Sequence, residues 1–260
     1  LGIAVQATGH ADLVERPDGT WALVHLAIRQ AGAFPLFHVN GRETFLAGVD
    51  WVDDWPVVVE DRFAVPPRDL AWADRFDAPA LAPRWLAPSV DPASFSRTGD
   101  GLTLAAGRDA AASEQRAVLC VRATDRSWDA TATVAAGSAC LSVRIDAAHW
   151  YGVELVDGVA RARAVSAPFD QVTGETAALP GDALAIRVRG REPRLGDTSG
   201  PDVVSLGLVR DGAFVPIADL DGRYVSTEVA GGFTGRMIGL EALDGDATVT
   251  VAAYTPVASG

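Results

Sequence analysis

Trp150-Tyr151-Gly152-Val153-Glu154-Leu155-Val156, then Asp157-Gly158, then Val159-Ala160-Arg161-Ala162-Arg163-Ala164-Val165 is the stretch whose reading decides the fold. Two seven-residue runs flank an Asp-Gly pair, the dipeptide suited to a two-residue hairpin turn. Within the second run Ala160, Ala162 and Ala164 alternate with Arg161 and Arg163. The period is two, as in a strand with one buried face, and not three or four. Working outward, the same signature recurs over Gly101 to Ala105, Ala117 to Ala123, Ser127 to Ala135, Ala139 to Ile145, Ala183 to Arg189, Val203 to Arg210, Ala213 to Ala218, Met237 to Leu243 and Thr248 to Ala253. Asp211-Gly212 marks a second tight turn. Many short strands with turn residues between them, and no helical stripe of useful length, predict an all-β chain whose residues 74–260 form a two-sheet β-sandwich.

The first 60 residues read as a separate unit. Ala11 to Glu15 and Thr20 to Leu26 form a hairpin about Arg16-Pro17-Asp18-Gly19, where Pro-Asp-Gly supplies the turn chemistry. A third run, Glu43 to Trp51, precedes the acidic stretch Val52-Asp53-Asp54-Trp55-Pro56. Three short strands resemble one propeller blade. A lone sheet of that size leaves edges and a face open, so residues 1–60 need a partner surface. The pattern then loosens around Pro66-Pro67, and residues 61–73 read as a linker. Asp109-Ala110-Ala111-Ala112 reads as a loop.

Composition narrows the class. With 48% hydrophobic and 22% charged residues, 26 Gly and 15 Pro in 260 residues, the chain is neither disordered, collagenous nor a coiled coil. Its net charge of −12 repels nucleic-acid phosphates and anionic membranes, and favours neutral or cationic partners. Every basic residue is Arg, none Lys. No run of about 18 apolar residues occurs. The chain opens Leu1-Gly2-Ile3, with no initiator Met and no basic-then-apolar leader, and reads as a soluble segment of a longer protein, cytoplasmic or secreted. Cys120 and Cys140 sit in neighbouring apolar runs, as a disulfide or as two buried thiols.

Several chemistries find no motif. Gly231-Gly232-Phe233-Thr234-Gly235 lies between strands and lacks the helix and Lys of a phosphate loop. There is neither zinc-type Cys/His spacing nor a Gly-x-Ser-x-Gly elbow. What stands out is His10, behind Gly9, as a metal ligand or water anchor or a plain hydrogen-bonder. Arg42, behind Gly41, has a guanidinium able to fork onto vicinal hydroxyls or a carboxylate, or to pair with Glu43 or the acidic stretch. Trp51 and Trp55 suit a sugar face or a core.

The ordered set Gly9-His10-Ala11-Asp12-Leu13-Val14-Glu15, Asp18-Gly19-Thr20-Trp21, Gly41-Arg42-Glu43-Thr44-Phe45-Leu46 and Trp51-Val52-Asp53-Asp54-Trp55-Pro56 resembles the end of the catalytic propeller of glycoside hydrolase family 43, the β-xylosidases and α-L-arabinofuranosidases. Asp74-Arg75-Phe76-Asp77, Leu81-Ala82-Pro83-Arg84-Trp85 and Gly101-Leu102-Thr103-Leu104 resemble the opening of the sandwich in its xylosidase subgroup. Asp221 to Glu228 and Gly231 to Arg236 resemble its close. The chain departs from the subgroup at Arg84-Trp85-Leu86-Ala87-Pro88-Ser89, where an Arg is expected just before the Pro.

The resemblance implies the last blade of a five-bladed β-propeller followed by a concanavalin-like jelly-roll sandwich. It also implies an inverting reaction in which one Asp activates water, one Glu protonates the leaving oxygen and a further Asp tunes that acid. Those carboxylates belong to earlier blades. None of Asp12, Glu15 or Glu43 occupies their positions, so no catalytic residue lies in this chain and the segment alone is expected to be inactive. By the same resemblance His10 lies near the propeller axis, by a calcium ion or an ordered water, and Arg42 hydrogen-bonds the sugar beside the scissile bond. A sandwich loop closes the pocket, with Phe95 or Phe233 as its aromatic or, alternatively, as core residues. The implied partners are a xylose- or arabinose-containing oligosaccharide and either the upstream blades or another copy of the chain. A non-catalytic carbohydrate-binding module and a purely structural cap are the alternatives.

Overall fold

A computed structural model describes residues 5–32, 35–63, 69–107, 117–192, 196 and 198–258. The expectations for Leu1-Gly2-Ile3, Pro66-Pro67 and Asp109 to Ala112 lie outside them. Two sheets organise the rest.

The first is an antiparallel meander of four strands, β1 (Val5–Glu15), β2 (Trp21–Arg29), β3 (Glu43–Val52) and β4 (Trp55–Val59), in that spatial order. The expected three strands therefore gain a fourth. Asp53 and Asp54 both adopt positive φ, 49° and 61°, the backbone of a type I′ turn, so the acidic stretch is a two-residue hairpin. Pro56 is tolerated in β4 because that strand lies on the sheet edge. The strand β1 also begins earlier than its alternation suggests, since bulges on either side of Gly9 break the pattern.

The second sheet runs through β5 (Trp72–Asp74), β6 (Ser96–Gly99), β7 (Gly101–Ala105), β8 (Leu119–Arg122), β9 (Trp128–Arg144), β10 (His149–Val156), β11 (Val159–Ser166), β12 (Phe169–Ala177), β13 (Ala183–Gly190), β14 (Asp202–Arg210), β15 (Ala213–Asp221) and β16 (Met237–Pro256). It is a sandwich because β9 and β16 bend. The first half of β9 pairs with β13 and its second half with β10, while β16 follows it from one end to the other. Gly137, at φ 77°, and Gly245, at φ 60°, sit at the corners, where these strands pass from one layer to the other. Residues 127–135 and 139–145, like 237–243 and 248–253, are thus each one strand rather than two.

One layer places β12, β11, β10, the end of β9, the start of β16 and β8 side by side, and the other places β15, β14, β13 and the remaining halves with β5, β6 and β7. Leu102, Leu119, Leu141, Val153, Ile186, Leu206 and Leu240 fill the space between them, with Trp128 and Tyr254 in contact at one end. Cys120 and Cys140 are buried thiols with no disulfide between them, because β16 separates their strands. Burial pushes the Cys120 thiol up to about 11. The sole α-helix among the described residues is the single turn α1 (Thr227–Ala230). Among the described residues no helix is long and apolar enough to cross a membrane.

Candidate functional site

The sheets meet where the loop between β2 and β3 touches the segment leading into β16. On the loop side Phe37, Val39 and Asn40 are buried, and Gly41 holds φ at 66°. The other side is held by Arg236, which is almost wholly buried. Its Nη2 donates to Asp202 Oδ1 at 3.1 Å and to the Gly222 carbonyl at 2.7 Å, and its Nε donates to the Val225 carbonyl at 2.8 Å. One guanidinium thus ties the last strand to β14 and to the turn that carries α1. A charge so enclosed is tolerable because nearly every donor is used. Asp221, at the start of that turn, would be raised by burial, but the Arg223 side chain and N–H, the Gly200 N–H and Arg191 hold its carboxyl at about 2.

Backbone meets backbone across the seam. The Arg236 N–H donates to the Val39 carbonyl at 2.9 Å, and the Arg42 N–H donates to the Phe233 carbonyl at 3.3 Å. A Cβ on Gly41 would lie 2.3 Å from the Gly235 nitrogen, and one on Gly235 would lie 2.1 Å from the Asn40 carbonyl oxygen, so both positions require glycine. His38 pairs through Nδ1 with the Glu228 carboxylate, and Thr227 Oγ1 donates to the His38 carbonyl at 2.9 Å. Arg122 donates to the carbonyls of Asn40 and Arg42.

The Arg42 side chain rises from this seam with its guanidinium carbon 3.8 Å from the centre of the Phe233 ring. The expected pairing of Arg42 with Glu43 does not form. Glu43 is taken by Arg29 through two hydrogen bonds of 2.7 Å, which raise the Arg29 pKa against the cost of burying it. Phe233 remains 65% exposed, so the pair presents a cation and an aromatic edge to solvent instead of packing inward. His10 belongs to the same end of the sheet: Gly9 pairs with Leu26, which pairs with Thr44. The structure therefore brings His10, Arg42 and Phe233 toward one end of the blade.

The other expected residues fall elsewhere. Phe95 is packed in the sandwich core and offers no aromatic surface to a ligand. Trp51 and Trp55 are exposed at the far end of β3 and β4. For calcium, His10 supplies a nitrogen to an ion that takes six to eight oxygens, and no three His, Cys, Asp or Glu residues converge among the described residues. The described residues of this chain do not by themselves fit calcium. The sequence does not point to the seam partners Glu228, Arg122 and Asp202; the signal available is Gly41 and Gly235, which pack backbone on backbone there.

A sandwich with two corner-turning strands, docked on a four-stranded blade, defines a concanavalin-like module appended to a second domain. The chain belongs to the GH43 family of β-xylosidase C-terminal concanavalin A-like domains, whose model matches residues 73–256. Over 57 residues it is 51% identical to a non-reducing end alpha-L-arabinofuranosidase, BoGH43B, of Bacteroides ovatus, a match covering 22% of this chain and 10% of that protein. Over 51 residues it is 55% identical to a xylosidase/arabinosidase of Butyrivibrio fibrisolvens, covering 19% and 9%. The solved structure of the Bacteroides ovatus xyloglucan PUL protein GH43B superposes with a TM-score of 0.74 at 25% identity, over 96% of this chain and 53% of that one. The chain thus spans about half the length of the solved relative it matches.

Proposed function

We propose that this chain is the C-terminal part of a glycoside hydrolase that removes xylose or arabinose units from plant-wall oligosaccharides. In this reading residues 5–59 complete a propeller, and the acid and base carboxylates come from upstream of the chain. An upstream Asp deprotonates the water that attacks the anomeric carbon, while an upstream Glu protonates the departing glycosidic oxygen, with inversion. This chain binds and encloses. Arg42 donates its guanidinium fork to sugar hydroxyls, His10 anchors an ordered water near the axis, and Phe233 closes over the pocket rim while restraining Arg42.

The observation that carries the reading is the Arg42–Phe233 pair, half from the blade and half from the sandwich, exposed at the sheet end that also bears His10. Its test is hydrolysis of aryl xylosides and aryl arabinofuranosides by the full-length protein. Arg42→Ala is expected to lower kcat/KM about 100-fold or more. Phe233→Ala is expected to act mainly on KM. A full-length protein that cleaves neither substrate class, or an Arg42→Ala variant with unchanged kcat/KM, would overturn it.

A further inference from the structure

We propose that the outer face of one sandwich layer is a binding site for a neutral oligosaccharide. On the layer formed by β8, β16, β9, β10 and β11, the residues pointing away from the core fall into register. Cys120, Gly239, Ser142, Gly152 and Arg163 make one row, and Met237, Arg144, Trp150 and Val165 the next. An outward sheet face is ordinarily solvated, yet here Ser142, Arg144, Trp150, Glu154 and Glu241 are all buried. Of these, Arg144, Trp150 and Glu241 line a cleft of about 510 Å³ together with Arg163 and Met237, and Leu86 to Pro88 and Ile145 to Ala147 stand in its walls. That volume lies within the range of small-ligand sites.

The floor is polar by construction. Arg144 lies flat along the sheet, with Nε donating to Ser142 Oγ at 3.0 Å and Nη2 to Glu241 Oε1 at 2.7 Å. It does so because Gly239 lies beneath it, where a Cβ would sit 3.0 Å from that Nε. Arg163 is fixed in the same manner, by Glu154 and Asp170, with three bonds of 2.7 Å. Trp150 stands between the two guanidiniums, each 5.6 Å from its ring.

A buried ion pair seldom adds stability over apolar side chains of the same volume, and packing gives no reason to place Arg144–Glu241, with the half-buried Arg163 on Glu154 beside it, on an outer face. What they provide is a fixed set of donors and acceptors. Arg144 is balanced by Glu241, whereas Arg163 faces both Glu154 and Asp170 and Asp146 stands in the wall, so the cleft offers an anion no net positive field, and the chain's −12 repels anions as well. Vicinal hydroxyls, each both donor and acceptor, suit such a floor, and Leu86, Val118 and Met237 suit the C–H faces of a sugar ring.

The choice of a pentose probe rests on the function proposed above, whereas the cleft does not. Calorimetric titration of the 260-residue chain with xylotetraose and with cellotetraose is the test. Saturable binding of either, with a Kd of about 1 mM or tighter, is expected. It should weaken at least tenfold in Ala147→Trp, which plugs the exposed wall, and in Glu241→Gln, which keeps the shape but not the charge. Ala147→Trp decides the matter if Glu241→Gln fails to fold. Absence of saturable binding to both sugars, or unchanged binding in a folded Ala147→Trp, overturns the proposal. Binding of cellotetraose alone would uphold the cleft while counting against the pentose reading.

Discussion

In the four-stranded sheet Trp51, Val52, Trp55, Val57 and Val58 stand 43 to 74% exposed, whereas in the sandwich Leu102, Leu119, Leu141, Ile186, Leu206 and Leu240 are at most 1% exposed. Both regions use the same period-two alphabet of Val, Leu and Trp. The difference is in what each side chain meets. The sandwich has two layers and buries its apolar faces against each other, which supplies the driving force for its folding. The blade has one layer, and within this chain the sandwich meets it along the β2–β3 loop and the strand ends beside it. Part of its order is therefore borrowed through that seam, and in the propeller proposed above neighbouring blades supply the rest.

The largest effect is expected from Arg236→Met. It leaves Asp202 buried without its cation and frees the turn that docks on the blade, a loss of about 3–5 kcal/mol, read by urea unfolding. If the blade borrows its stability, hydrogen exchange of β2 and β3 should accelerate in the same variant. Protection of those strands that survives the substitution would break the comparison. Gly41→Ala sharpens it from the other side. A Cβ there collides with the Gly235 backbone at a positive φ, for about 1–3 kcal/mol of strain, so blade amides should lose protection while the sandwich transition stays in place. Phe233→Leu removes only an exposed cation–π contact, roughly 0.5–1 kcal/mol, and should leave both transitions nearly unmoved. The mildest effect is the acid one. Because the folded Asp221 carboxyl titrates at about 2, below its ordinary value, its stabilisation is full above about pH 4. It fades as pH falls toward about 2, and it should appear as a fall in the sandwich midpoint only.

Where one strand face is buried and the other wet, the sequence displays the strand, as in β11, β13 and β14. It hides a strand wherever that asymmetry fails. In β12 Phe169 and Val172 are exposed, so no inward face can be read. In β9 and β16 the exposed residues around Gly137 and Gly245 imitate loops, although each strand runs on through them and resumes its pairing on the other side. In β4 the Asp53-Asp54 turn looks like surface acid, because left-handed Asp is less familiar than Gly in that role. At the site, Arg42 and His10 were legible through the motifs around them. The seating of Phe233 on Arg42 was not, since 191 positions of chain separate the two and only folding joins them.

The bent strand β16 also orders events in time. It pairs with β5, β7, β8 and β9, segments that begin as early as Trp72. During synthesis at about 5–20 residues per second, those earlier strands must wait, unpaired along one edge, until residues 237–256 leave the ribosome. The sandwich is consequently closed by its last strand like a zip drawn from the far end. Nascent chains stalled before Met237 should be the state in which a chaperone is needed most.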